Sequence, residues 1–63
     1  MLDNTTYNLM MQIVEEHKSL WRMEQNYQDD ASNDKACKEF WGRMIIDKKE
    51  HIEELTQLIK ERL

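Results

Sequence analysis

The chain has 63 residues, 40% of them hydrophobic and 35% charged, with a formal net charge of −4. That length allows one domain at most and little buried apolar surface, so a disulfide, a metal or a partner chain usually adds stability. A disulfide within the chain is excluded because Cys37 is the only cysteine. The charge balance argues against a nucleic-acid partner because neither half is basic: residues 1–30 carry six acids against two bases, and residues 31–63 carry seven of each, so RNA binding by a dimeric helical hairpin fits badly with the acidic first helix.

Proline is absent, glycine occurs once, and Glu, Lys, Leu, Met and Gln abound, a composition that favours helix. The pattern predicts a single domain over residues 1–63, with a helix over about 4–28, a turn over about 29–33 and a helix over about 34–62. The first helix starts at Asp3 to Thr5. Its apolar stripe holds Met10, Ile13, Val14, Leu20, Trp21 and Tyr27, and stepping about 100° per residue sets His17 and Glu24 near the middle of that stripe. Glu16 then points away from it. The polar stretch "QDDASND", residues 28–34, is the turn. Ser32 or Asn33 caps the next helix, with Asp34 in its first turn. The second helix carries Cys37, Phe40, Trp41, Met44, Ile52, Leu55, Leu58 and Ile59 along one side, with Ile45 and Leu63 widening it. Lys48 and His51 fall within that sector. Lys48 reads as a residue that lays its stem on the core and keeps its amine in water. Gly42 and Ile46 lie on the polar side.

Two helices of roughly 40 Å joined by a short turn make an antiparallel hairpin. Residues at one height then have numbers adding to about 64. The apolar stripes are wider than a two-helix contact covers, so the expected architecture is all-α, with hairpins dimerising into a four-helix bundle through Trp41, Ile45, Ile52, Ile59 and Trp21. A different helical partner protein meets the same need. One free thiol, no secretion-type leader and no long apolar run point to a soluble, cytoplasmic protein without a membrane span.

The chemistry-bearing residues are few. Asp47, His51 and Glu54 stand at i, i+4 and i+7 on one side of the second helix, and His17 lies on the facing stripe. In a dimer, His17, His51, Asp47, Glu54 and Glu24 could gather as ligands for Fe, Zn or Mn. The competing reading makes each histidine a packed or boundary residue and Glu24 an end-of-core residue that reaches water or a lysine. Cys37 falls on the apolar face near a helix start, which reads as a buried, inert thiol rather than an activated one. There is no serine–histidine–acid set and no glycine-rich phosphate loop. The default reading is therefore a non-enzymatic structural or protein-interaction module.

The second half, "NDKACKEFWGRMIIDKKEHIEELTQLIKERL", resembles the helix of ferritin-like and rubrerythrin-type proteins that carries a Glu-x-x-His ligand motif. The stretch "YNLMMQIVEEHKSLWRMEQNYQDDA" is similar to the helix before it, which supplies a single Glu ligand. The resemblance implies a two-helix half completed by a second copy around a di-iron site, with metal-dependent oxidoreductase or iron-storage chemistry. His51 matches the motif's histidine, Lys48 stands where the motif has Glu, and Glu16 is the nearest match for the single Glu.

Overall fold

The computed structural model describes residues 3–63, and those residues are almost entirely helical. Helix α1 spans Asn4–Arg22, a π-helical turn follows over Met23–Tyr27, and a short α2 closes the same rod at Gln28–Asp30. Helix α3 spans Lys35–Arg62. No strand occurs among the described residues.

Each long helix starts on an aspartate. The Asp3 carboxylate accepts a hydrogen bond from the Thr6 amide at 2.7 Å, and Asp34 accepts from the Cys37 amide at 3.0 Å. Each thereby satisfies one of the backbone donors that a helix start leaves free. The hydrogen bonds from these backbone amides hold both carboxyls below their ordinary range. The observed cap of α3 is thus Asp34, not Ser32 or Asn33. Those two belong to the tight turn Ala31–Asn33, closed by Ser32 N to Asp29 O (3.1 Å) and Asp34 N to Ala31 O (2.8 Å). The turn starts two residues later than the composition suggests because Asp29 and Asp30 are still helical. At the other end of α3, Lys60 and Arg62 sit in the last turn, where they face the negative end of the helix dipole.

The two rods lie against each other. Glu16 meets Lys48, Gln28 reaches Lys38, and Tyr27 packs on Trp41, a pattern that fits a helical hairpin. Glu16 and Lys48 meet on the expected level. The π turn explains how Met23, Tyr27 and Ala31 stay on the α3-facing side. Four residues of α-helix turn about 400° and overshoot, whereas four residues of π turn fall short of a full turn, and the two offsets cancel so that Ala31, eight residues on, lies back over Met23.

The core is thin. Among the described residues the buried ones are Met23, Ala31, Thr6 and Glu16, two of them polar. Ile13, Leu20, Trp41, Met44, Ile45, Ile52, Leu55 and Ile59 are half-buried. The radius of gyration is 14.4 Å, against roughly 11 Å for a compact domain of this length. The accessible surface is 4950 Å², against roughly 4,300 Å² for a compact monomer of this mass.

Gly42 lies nearer the contact than its place on the polar side suggests. It is half-buried, and a methyl group on it would sit 3.7 Å from Gln28 Nε2, an ordinary van der Waals distance. Gly42→Ala should therefore stabilise the protein by about 1 kcal/mol through helix propensity alone. Thermal unfolding should show a rise in Tm of roughly 4–8 °C. A fall in Tm would mean that another backbone approaches Gly42 more closely than Gln28 does.

Candidate functional site

The one strongly buried ionisable side chain among the described residues is Glu16, 7% exposed. This overturns the expectation that it points to water. Its Oε1 accepts a hydrogen bond from Gln12 Nε2 at 2.8 Å, one helical turn away. Its Oε2 lies 3.1 Å from Lys48 Nζ and 3.7 Å from His51 Nδ1. The Lys48 contact is an ion pair by distance, with no donor aligned on Oε2 for a hydrogen bond. Burial pushes the Glu16 carboxyl up, but the Lys48 amine, the Gln12 amide and the His51 ring together outweigh it and hold the carboxyl below its ordinary value. Lys48 is accordingly not a snorkelling lysine. Its side chain is 19% exposed and its amine is turned in to Glu16.

Beside this pair runs an open groove of about 260 Å³, lined by Gln12, Glu16, His51, Glu54, Leu55 and Leu58. His51 and Glu54 therefore share one groove, but both are exposed. Asp47 is exposed as well, and Glu24 pairs with Lys49 at 3.4 Å. His17 is exposed and lines a separate depression with Lys18, Trp21 and Arg22. One chain thus brings His51 to Glu16 and Glu54 and does not bring it to His17. Among the described residues no three His, Cys, Asp or Glu side chains are placed to hold a metal ion.

A second cluster forms where the turn meets the helices. Tyr27 and Trp41 pack at 4.8 Å between ring centroids, tilted by 50°, and Phe40 meets Trp41 edge-on at 5.2 Å. Both geometries suit the quadrupoles of the rings. Cys37 lies at the edge of this cluster, beside Asp34, and is exposed. The apolar spacing that placed it in the core fails because Cys37 lies in the first turn of α3, at the open end of the contact, beside Tyr27, Asp30 and Ala31 rather than beneath them. Hydrogen bonding to Asp34, together with the charge of that carboxylate, raises the thiol's pKa. The neighbouring carboxylate, more than burial, thus disfavours the thiolate form of this exposed thiol. Asp34→Asn keeps a good capping side chain and removes the anion. It should speed alkylation of Cys37 by iodoacetamide at neutral pH while leaving the helical circular dichroism unchanged. An unaltered rate would show that Asp34 does not control the thiol.

The residues expected at a dimer contact divide into two groups. Trp41, Ile45, Ile52 and Ile59 are half-buried within the chain. Trp21 is 60% exposed, on the side of α1 that also shows Tyr7, Met10, Met11 and Val14. No helix among the described residues is long and apolar enough to cross a membrane. The chain matches no family model, no curated protein and no solved structure.

Proposed function

We propose that the protein is a small structural module, an antiparallel helical hairpin that dimerises into a four-helix bundle and acts by association rather than by catalysis. The observation that carries this reading is the mismatch between apolar surface and core. Five large apolar side chains of α1 are 36–60% exposed, yet among the described residues Met23 and Ala31 are the buried apolar ones. Isolated surface hydrophobes are ordinary, but a contiguous set marks a contact surface. A chain of this size gains most by sharing its core with another chain.

Dimer stability is tied to concentration, because binding free energy is part of folding free energy. Unfolding followed by circular dichroism from about 5 to about 500 µM chain should give a Tm that climbs steadily with concentration. A Tm that stays fixed over that range would remove the dimer from this reading.

A second reading is favoured by one contact. His51 Nδ1 lies 3.7 Å from the buried Glu16 carboxylate, with Glu54 in the same groove. A second copy that added ligands there would build a bundle-core site of mixed Glu and His for Fe, Zn or Mn, as the ferritin-like resemblance implies. Lys48 opposes this, since its ammonium occupies the side of Glu16 that a cation would take. Titration with each ion separates the two readings. Tm gains that vanish in His51→Ala support the metal site, and gains equal in both proteins, or none, support the association module.

A further inference from the structure

We infer that the exposed face of α1 is the self-docking surface, with two copies of α1 crossing antiparallel near Val14. This inference rests on the dimer reading above and specifies its contact. The surface consists of Tyr7, Met10, Met11, Val14 and Trp21, exposed by 54, 36, 46, 46 and 60%. Their spacing of three, four and seven residues makes one continuous stripe on α1. It is separate from the side that holds Glu16, which α3 already covers.

Two observations point to a second copy as the occupant, and the shape of the face is a third feature that such a crossing would use. The first is area. The chain is a rod of 48 × 16 × 13 Å whose 4950 Å² exceeds the compact-monomer value by roughly 600 Å², and a second rod laid alongside removes the kind of surface that this elongation adds. The second is charge. Most acids of the first half lie off the stripe: Glu16 is buried against Lys48, Glu24 pairs with Lys49, and Asp29 and Asp30 sit at the turn. Along the α1 face this leaves Asp3 at one end, within the field of Arg62 of α3, and Glu15, Lys18 and Arg22 towards the other, where Glu15 and Lys18 pair at 3.6 Å. An antiparallel copy sets Asp3 near the partner's Arg22. A parallel copy sets like ends together and aligns the helix dipoles. The third is shape. Crossing at Val14 places Trp21 opposite the partner's Tyr7 and leaves the small valines at the closest approach. Aromatic pairs of this kind are favoured contacts, and close helix approach needs small side chains at the crossing.

The test uses the full chain in a Cys37→Ser background, with Val14→Cys or Leu58→Cys added singly. Val14 is half-exposed, so its replacement leaves the fold intact, which circular dichroism verifies. Sedimentation reports whether each protein is a dimer, and a short bis-maleimide reports which residue faces its copy. The expected result is a dimer in which Val14→Cys crosslinks faster than Leu58→Cys by on the order of tenfold or more. Trp21→Ala, folded as before, should weaken the dimer by roughly 30-fold. A dimer that crosslinks through Leu58→Cys and not through Val14→Cys overturns the α1 surface and leaves the dimer standing, assembled through the Glu16 groove. A chain that sediments as a folded monomer throughout overturns the dimer itself.

Discussion

Replacing Lys48 by methionine should destabilise the protein by about 3 kcal/mol at neutral pH, most of the stability that a core of this size supplies. The reason lies in what the substitution strands. Glu16 stays 7% exposed, its Oε2 loses the ammonium 3.1 Å away, and no aligned hydrogen-bond donor takes its place. The sign of the pH dependence follows from the same contact. In the native chain the Glu16 carboxyl titrates below its ordinary value of 4.5. Its contribution is therefore fully present above that value and is lost as the pH falls through the depressed one. In Lys48→Met, burial acts against the charge with only Gln12 and His51 opposing it, so the carboxyl titrates higher. The stability deficit should then shrink as the solution is acidified, the reverse of the native trend. The double variant Glu16→Leu/Lys48→Met should recover most of the loss, because a packed apolar pair replaces a buried ion pair at little or no cost. Chemical denaturation at pH 7 and at pH 5 reads all three. A Lys48→Met protein as stable as the native chain at both values would show that the pair is incidental.

The Glu16–Lys48 pair is within reach of the sequence, and the apolar periodicity of α1 hides it for a definite reason. The rule that facing residues have numbers adding to about 64 places Glu16 opposite Lys48. What hid the pair is that α1 carries two apolar sectors. Leu9, Ile13, Leu20 and Met23 face α3, whereas Met10, Val14 and Trp21 face outward. A stripe drawn through both sets has its centre between them, on His17, and pushes Glu16 to the outside. The structure reverses the two: Glu16 is buried and His17 is exposed. Periodicity reveals how much apolar surface a helix has, and only the position of α3 decides which part of it becomes core.

The two tryptophans should respond in opposite ways. Trp41→Ala removes a half-buried ring that touches both Tyr27 and Phe40. It should lower folding stability by about 3 kcal/mol, the low end for large aromatic truncations because the ring is not fully enclosed. Trp21→Ala removes a ring that is 60% exposed. Measured at low concentration, where chains are apart, it should change folding stability by about 0.5 kcal/mol or less, and its effect should emerge only as concentration rises. Denaturation at two protein concentrations distinguishes them. Equal losses for the two variants at low concentration would place Trp21 in the core of the chain, against its exposure.

Other parts of the molecule were easier to read. The absence of proline, the single polar break and the charge placement led to two helices whose ends lie within a few residues of those observed. Capping was harder, because Ser32, Asn33 and Asp34 are all capable side chains, and only the backbone path of the turn selects Asp34. The π turn at Met23–Tyr27 left no mark in composition. Its effect is on packing: it keeps Met23, Tyr27 and Ala31 against α3. Glu24 reaches a lysine, Lys49, one of the partners open to a residue at the end of the core.

The most direct measurement is native mass spectrometry of the full chain, purified without chelator, beside circular dichroism of the same sample. A helical species at twice the 7.7 kDa chain mass is the expected result. A helical species at the mass of a single chain, persisting as the concentration is raised, would contradict it and leave the apolar face of α1 to a different partner.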